Sequence, residues 1–306
     1  MRTAFVRELR QLMKEHKDVV TLTADMGFSV FEDLQKEFPK RFLNTGVTEQ
    51  STVGVAAGFA LSGYKVFVYA QAAFITMRCF EQVRLDVCYN NLNVKLIGTA
   101  AGFSLPQLGV SHFAVEDVAL MRSLPNMTVF TPGDPMEARW ATEKAYTIDG
   151  PAYIRLTKAG CPVVHASVPT IRVGESIVVR EGDDAALLVS GGMLPVAVDV
   201  AEQLKRKKIH ISVDSFPTVK PIDKKIILNL AKKGKHIFTL EDHSVIGGLG
   251  SAVAEILAES GNSVPFKRLG APDAFTDITG SIEYLQKANG LSPTAITSTI
   301  MHSLKP

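Results

Sequence analysis

Four side chains able to take part in acid–base or ring-binding chemistry stand where loops follow β-rich runs or where a helix begins. They are Asp25, Glu49, Phe74 and His112. In open α/β sheets, ligands bind outside the carboxyl ends of the strands, where loops and helix N-termini converge. Carboxyl and imidazole groups gathered there can exchange protons with a ligand, and an aromatic ring can pack against it. We therefore expect these four positions to face a common cleft.

Each of these residues also has a purely structural interpretation. Glu49 lies in the first turn of a predicted helix, where the positive end of the helix dipole favours a carboxylate. Asp25 suits a turn cap, His112 suits a loop whose hydrogen bonds are satisfied, and Phe74 suits the core. Taken singly, none of the four defines a site.

The elements that must position these residues alternate between strand and helix. Short β-rich runs are predicted at 19–23, 66–69, 94–98, 127–130, 153–156, 185–189, 209–214 and 236–240. Helices are predicted at 3–16, from about 48, and at 75–89, 135–146, 195–207, 223–233 and 250–259. Such alternation indicates parallel strands joined by crossover helices. We predict two doubly wound α/β domains, the first with a mainly parallel sheet over residues 1–160. A proline-rich linker over 161–180 and a second domain over 181–306 follow it.

Composition limits the classes of protein to which the chain can belong. Its 306 residues are 46% apolar and 21% charged, which is ordinary for a globular protein, and this length favours two domains. The formal net charge is only +2 and the sequence has no basic stripe. We therefore expect no binding to nucleic acid.

The N-terminal segment and the cysteines are equally ordinary. The first 18 residues show an amphipathic pattern with charges throughout, unlike a signal peptide, and no apolar run approaches the roughly 20 residues of a membrane span. We expect no membrane association and a cytoplasmic location. Cys79, Cys88 and Cys161 lack the spacing of metal ligands or of a disulfide framework, so we interpret them as buried thiols and expect no metal site in this chain.

Two ordered sets of motifs carry a family resemblance. The stretches TADMGFS, NTGVTEQSTVGVAAGFALSGYKVF, FITMRCFEQVRLDVCYNNLNVKLIGT, GVSHFAVEDVALMRSLPNMTVFTPGDPMEA and GPAYIRLTKAG together resemble the pyrimidine-binding domain of the transketolase family. Further along, DDAALLVSGGMLPVAVDVAEQL, VDSFPTVKPID and TLEDHSVIGGLGSAVAEIL resemble the C-terminal domain of that family. The resemblance extends from about Arg2 to the end of the chain.

The resemblance implies thiamine diphosphate (TPP) as cofactor and a partner chain. In the family, a separate domain holds the diphosphate and Mg²⁺ with a Gly-Asp-Gly run followed by Asn, and this sequence completes no such pattern. We therefore expect the second subunit of a split transketolase. Its partner would be an N-terminal transketolase subunit that brings Mg²⁺ and the diphosphate site. We expect an α2β2 assembly, self-association through both domains, and no activity of this chain alone.

The resemblance also assigns cofactor contacts. Glu49 matches the glutamate that hydrogen-bonds N1′ of the aminopyrimidine and so favours the imino tautomer at the 4′ nitrogen. Phe74 matches an aromatic that packs against the pyrimidine ring, and Asp25 matches an acid on the cofactor side of the cleft. Gln71 replaces the first aromatic of the family's Phe-x-x-Phe pair, which makes the pocket more polar.

Substrate contacts follow from the same comparison. His112 matches a histidine that hydrogen-bonds the sugar near its reacting end, whereas Arg2, Ser29 and Lys158 fall where the family contacts the distal phosphate. Phosphate suits cations and hydroxyls because charge-assisted hydrogen bonds are strong. Arg2 has the alternative interpretation of a disordered terminal residue.

Departures from the family pattern point to an unusual donor. Leu108 stands where the family has an acid that reads the orientation of a donor hydroxyl, and Lys158 replaces an arginine, losing its bidentate fork. We therefore expect a specialised catabolic enzyme. Its donors would include a branched ketose phosphate such as apulose 4-phosphate, or a sulfonated ketose.

Three alternatives stay open. The β subunit of a 2-oxoacid dehydrogenase shares the two-domain plan and the glutamate, but a phosphate cluster makes little sense there. A 1-deoxyxylulose-5-phosphate synthase is normally one long chain. A non-catalytic structural subunit would have no need for Glu49, Phe74 and His112 together.

Overall fold

Two β-sheets, of seven and five strands, organise the chain. The computed structural model describes residues 1–157 and 160–305. The strands are β1 (Val19–Thr23), β2 (Phe42–Asn44), β3 (Lys65–Gln71), β4 (Val94–Thr99), β5 (Thr128–Phe130), β6 (Ala152–Arg155), β7 (Ile177–Arg180), β8 (Ala185–Val189), β9 (Ile211–Ser215), β10 (Thr218–Lys220), β11 (His236–Ser244) and β12 (Phe266–Ala271). The α-helices are α1 (Arg2–Glu15), α2 (Glu32–Glu37), α3 (Glu49–Leu61), α4 (Phe80–Gln82), α5 (Asp117–Ser123), α6 (Pro135–Thr147), α7 (Leu194–Lys205), α8 (Lys224–Lys232), α9 (Leu249–Ser260), α10 (Ile282–Ala288) and α11 (Pro293–Ser303).

The first sheet has the order β10-β5-β6-β4-β3-β1-β2, and every pair except β10 with β5 is parallel. Strands β1, β4 and β6 are buried along their whole length, as expected for central parallel strands covered on both faces. Because these strands are parallel, the carboxyl ends of β1, β2, β3, β4 and β6 share one edge of the sheet.

The second sheet has the order β12-β11-β8-β9-β7, with only β7 antiparallel to its neighbour. The prediction of two α/β units with mainly parallel sheets is confirmed. One connection was not predicted: after β9 the chain returns to the first sheet, where Thr218 in β10 pairs with Phe130 in β5. A strand from the second half of the chain therefore completes the edge of the first sheet.

Helices α1 and α6 show how the sequence determines the buried face and the first turn of a helix. Helix α1 buries Phe5, Leu9, Leu12 and Met13, which lie on one face at helical spacing. Helix α6 begins with Pro at its first position, and its N-cap Asp134 accepts hydrogen bonds from two backbone N–H groups of the first turn. No helix among the described residues is both long and apolar enough to cross a bilayer.

The helical segment after β3 departs from the prediction of one regular α-helix over 75–89. It consists of a π-helical turn, Phe74–Arg78, then α4, then a second π-helical turn, Val83–Tyr89. π-Helical turns inside helices are frequent at functional sites. Here the first turn begins with Phe74 and ends with Arg78, so that both side chains belong to the edge where the strands end.

Candidate active site

Asp25, Glu49, Phe74 and His112 follow strands that end at one edge of the first sheet. Strand β1 lies between β2 and β3, and β3 in turn pairs with β4, so the loops after these four strands are neighbours. The register brings Thr23 opposite both Asn44 and Tyr69, and Gln71 opposite Thr99. This topology places the four loops side by side, as a common cleft requires.

Glu49 is the first residue of α3, and its side chain is only 4% exposed. Its Oε2 accepts a hydrogen bond of 2.8 Å from Nη1 of Arg78. The turn before it is held by threonines: the Thr48 hydroxyl donates to the Thr45 carbonyl at 2.8 Å, and the hydroxyls of Thr45 and Thr52 lie 2.6 Å apart. A buried carboxyl group at a helix N-terminus, paired with a guanidinium, is thus held in one orientation.

Arg78 is a site residue that the sequence did not reveal. Its guanidinium carbon lies 4.4 Å from the centre of the Phe74 ring, and its side chain is 45% exposed. This geometry is that of a cation–π contact. The spacing of four residues between Phe74 and Arg78 on a predicted helix was the signal available. Next to it, burial and the charge of Glu49 raise the pKa of Cys79 to about 12.

His112 and Gln71 extend the same cluster. The rings of Phe74 and His112 meet edge to face, with centroids 5.2 Å apart. Gln71 Nε2 donates to the His112 carbonyl at 3.4 Å, and His112 Nδ1 lies 2.9 Å from the Ser111 hydroxyl. Four predicted residues, Glu49, Gln71, Phe74 and His112, are therefore connected, with Arg78 as the link to Glu49.

Asp25 lies beside this cluster and is exposed. Its backbone has φ of +50°, and its N–H and its carboxylate both pair with the Asn44 side chain at 3.0 Å. The same Asn44 Oδ1 accepts from the Gly46 N–H at 3.0 Å. Asn44, which begins one of the quoted motifs but was not predicted as a site residue, thereby ties Asp25 to the turn that leads into Glu49.

Arg2 and Ser29, two of the predicted phosphate contacts, are not joined by any hydrogen bond or ion pair among residues 1–157 and 160–305. Arg2 lies beside the Tyr69 hydroxyl. Burial raises the pKa of Tyr69, whereas Thr99 and Arg2 act to lower it. The buried Nε of Arg2 has no hydrogen-bond partner in the described part of the chain. Ser29 is exposed with φ of +61°, and its N–H donates to Glu32. Lys158 lies outside the described residues.

Leu108, the predicted departure at the donor site, lies in the loop that leads to His112. Its side chain is 52% exposed, and its carbonyl accepts from the Ser111 hydroxyl at 3.4 Å. An apolar side chain this exposed at the rim of the cluster has little packing of its own to lose on substitution.

The cluster has the composition that a flat, weakly basic ring would require. Within the described residues, Glu49 accepts a single hydrogen bond, through Oε2, so its Oε1 has none. Phe74 packs against a small apolar patch made of Ala72, Ala73, Ala101 and Ala114. One buried carboxyl group, one aromatic ring and an alanine wall fit the aminopyrimidine of TPP. Residues 1–157 and 160–305 contain no group of three His, Cys, Asp or Glu side chains that could hold a metal ion.

Comparison with known families divides the chain in two. Residues 1–162 match the family model for the transketolase pyrimidine-binding domain, and residues 174–296 match the model for the transketolase C-terminal domain.

Individual relatives cover the chain almost end to end. It is 37% identical over 286 residues to an apulose-4-phosphate transketolase subunit of Actinobacillus succinogenes, and the match spans 93% of this chain and 92% of that protein. It is 36% identical over 293 residues to a 6-deoxy-6-sulfo-D-fructose transketolase subunit of Clostridium sp. (strain MSTE9), spanning 95% and 90%. A solved split-gene transketolase, described as an inactive β4 tetramer, superposes with a TM-score of 0.92 at 38% identity and covers 99% of this chain and 97% of its own.

Proposed function

Since this chain belongs to the transketolase family, as its motifs predicted, we propose that it is the pyrimidine-domain subunit of a split transketolase. The enzyme transfers a two-carbon ketol unit from a ketose phosphate to an aldehyde acceptor. The observation that carries the proposal is the Glu49 carboxyl group, buried at the start of α3 with Oε2 held by Arg78 and with Phe74 beside that arginine. A purely structural subunit would not require a buried carboxyl group with one oxygen left without a hydrogen bond among the described residues.

In this proposal Glu49 shares a proton with N1′ of the aminopyrimidine through Oε1, while Arg78 keeps the carboxyl group oriented. Thiamine diphosphate, when bound, supplies the carbon nucleophile that carries the two-carbon unit. Phe74 packs against the pyrimidine ring, Gln71 lines the same pocket, and Asp25 orients its neighbours from the edge of the cleft. Burial of Glu49 strengthens its hydrogen bond because the local dielectric is low.

Our proposal for the substrate rests on the loop that ends at His112. His112 hydrogen-bonds the donor near its reacting end, and Arg2, Ser29 and Lys158 receive its distal anionic group. Leu108 stands in place of the acid that would hydrogen-bond a xylulose-type hydroxyl. The loss of that acid favours an unusual donor. The named substrates of two relatives, apulose 4-phosphate and 6-deoxy-6-sulfo-D-fructose, support this choice. The reaction then belongs to carbohydrate metabolism.

The proposed enzyme also requires a partner. The partner chain carries the diphosphate-binding domain and its Mg²⁺, and two copies of each chain form α2β2. The split-gene relative that was solved as an inactive β4 tetramer supports both self-association of this subunit and its inactivity alone. A cytoplasmic location is part of the same proposal.

Co-expression with the diphosphate-domain chain tests the function. The purified pair, with TPP, Mg²⁺ and an aldehyde acceptor, should transfer the two-carbon unit and release the remaining carbonyl fragment of the donor from a panel of xylulose 5-phosphate, apulose 4-phosphate and 6-deoxy-6-sulfofructose, whereas this chain alone should not. Turnover by the chain alone would contradict the split site. Activity of the pair on pyruvate or branched 2-oxoacids with a lipoyl acceptor, and none on ketoses, would establish the dehydrogenase alternative instead.

A further inference from the structure

The carboxyl end of β11, in the second sheet, holds the chain segment that follows His112 in the first unit. Ser244 N–H donates to the Val115 carbonyl at 2.7 Å. Ala119 N–H, at the start of α5, donates to Nε2 of the buried His243 at 3.2 Å. Two consecutive residues of β11 thus contact the backbone of the segment that runs from Val115 into the first turn of α5.

The loop that contains His112 is closed at its base. Gly102 and Ala114 exchange both backbone hydrogen bonds, at 2.9 and 3.1 Å, as an isolated antiparallel bridge. Gly102 has φ of +62°, and a Cβ at this position would collide with the Asp242 carboxyl group. Asp242, from the second unit, therefore fills the space next to the closing bridge, and only glycine permits this approach.

A buried ion network fixes this contact. Arg155 Nη1 donates to Asp242 Oδ1 at 2.5 Å, and Nη2 donates to the carbonyls of Ala114 and Asp242, both at 3.1 Å. Its Nε donates to Asp117 at 2.9 Å, and the Tyr153 hydroxyl donates to Asp117 at 2.6 Å. Burial opposes the charge of Arg155, but the two carboxylates outweigh burial and raise its pKa. The guanidinium is therefore permanently charged and its donors are directed at the base of the loop.

We infer that the C-terminal unit positions the active-site loop, and that Asp242, acting through Arg155 and beside Gly102, is a positioning residue for His112. The second unit contributes none of the residues assigned to proton transfer or ring packing, yet it holds the base of the loop through Asp242 and the segment after it through His243 and Ser244. The kinetic part of this inference rests on the proposed transketolase function, whereas the structural part does not.

The first experiment measures amide hydrogen exchange of residues 102–114 in the full chain and in Asp242→Asn. The substitution keeps the volume but removes the charge that Arg155 neutralises. We expect exchange in this loop to accelerate at least tenfold, with exchange in β1 and β8 unchanged. In the reconstituted pair, the donor KM should rise at least tenfold while the KM for TPP stays within twofold. General destabilisation would not produce this split.

A matched control and a second variant keep the test decisive. Asp214→Asn removes a carboxylate that is also buried in the same sheet but bonded to Ser212, and it should leave loop exchange and donor KM unchanged. His243→Ala removes the acceptor for Ala119 without touching the ion network, and His243→Gln restores an acceptor at the ε position. Loop exchange should accelerate in the alanine variant and recover in the glutamine variant, including when Asp242→Asn does not fold.

The outcomes separate the two claims. Wild-type exchange of residues 102–114 in folded Asp242→Asn, or in folded His243→Ala, overturns the positioning role. Accelerated exchange combined with no ketose turnover by the wild-type pair overturns the proposed function and leaves the positioning role standing. Accelerated exchange with an unchanged donor KM in an active pair shows that the loop does not bind the donor, which overturns the link to His112.

Discussion

Arg78 donates a 2.8 Å hydrogen bond to Glu49 from a guanidinium that lies over the face of Phe74. The contact joins the carboxyl group at the start of α3 to the aromatic ring at the start of the first π-helical turn. Its effect is to fix one carboxylate oxygen and leave the other available. In the proposed site, the orientation of Glu49 is thus set before the cofactor binds, which would reduce the entropy lost on binding.

Substitutions of Arg78 can distinguish the contribution of its charge from that of its planar guanidinium group. Arg78→Lys keeps the charge but loses the flat contact with Phe74, whereas Arg78→Met loses both. We expect turnover of the reconstituted pair to fall in the order wild type, lysine, methionine, with a rise in the KM for TPP. Because Arg78 is 45% exposed, the loss of unfolding free energy in the chain alone should be only about 1 kcal/mol.

Urea unfolding of the chain alone measures the change in stability, and steady-state assays with TPP titration measure the rest. Arg84→Met, on the same helical segment and without an ion pair among the described residues, serves as the control. Equal turnover in wild type and Arg78→Met would mean that Glu49 needs no help to stay oriented.

Glu49→Gln removes the group proposed to share a proton with the cofactor. The substitution preserves shape and one hydrogen-bond acceptor, so assembly with the partner should be intact. Turnover should fall by roughly 10²–10⁴-fold, the range typical for loss of a positioned acid or base. Sedimentation of the mixed subunits measures assembly, and release of the remaining carbonyl fragment of the donor measures turnover. Glu259→Gln, an exposed carboxylate on α9, should behave as wild type. Undiminished turnover in Glu49→Gln would favour a structural subunit.

Leu108→Asp should restore a carboxyl group that hydrogen-bonds the donor hydroxyl. Since Leu108 is 52% exposed, the new charge remains in water and the fold should tolerate it. We expect kcat/KM for xylulose 5-phosphate to rise at least tenfold relative to that for the best unusual donor. Val110→Asp, on the same loop with the same exposure, controls for the added charge. An identical shift in both variants would assign the effect to charge alone.

Much of the sheet could be predicted because parallel strands are buried on both faces. The apolar run 19–23 coincides with β1, and the run 94–98 lacks only the last residue of β4. Strand β10 was missed because it has three residues and forms only through pairing with β5, about 90 positions earlier in the chain. Such pairing leaves no local pattern in the sequence.

The residues of the candidate site likewise include some that the sequence predicts and some that it does not. Glu49 and Phe74 were predicted because loop positions after strands are visible in the sequence. Arg78 escaped because its role depends on a π-helical phase and on an acid 29 positions away. The Arg155 to Asp242 contact spans 87 positions and two sheets, so only tertiary structure reveals it.

Asp214 should make the chain less stable as the pH rises through the mildly acidic range. Burial, aided by Glu181 and opposed by the Ser212 hydroxyl, raises the pKa of this β9 carboxyl group from 3.8 to about 6. The folded chain therefore binds the proton more tightly than the unfolded chain does, so the favourable contribution is complete below about pH 4. It is lost as the pH passes through 6. A difference of about two pKa units corresponds to roughly 3 kcal/mol at most.

Asp214→Asn retains the hydrogen bond with Ser212 but cannot ionise, so its stability should lack this decline. We expect the variant to exceed wild type in unfolding free energy at pH 7.5 and to lose that advantage below pH 4. Urea unfolding between pH 4 and 8 measures the difference. Asp199→Asn, an exposed carboxylate on α7, should show the wild-type pH dependence. Parallel curves for wild type and Asp214→Asn would mean that Asp214 is ionised at little cost, which requires water or a cation at its carboxyl group in solution.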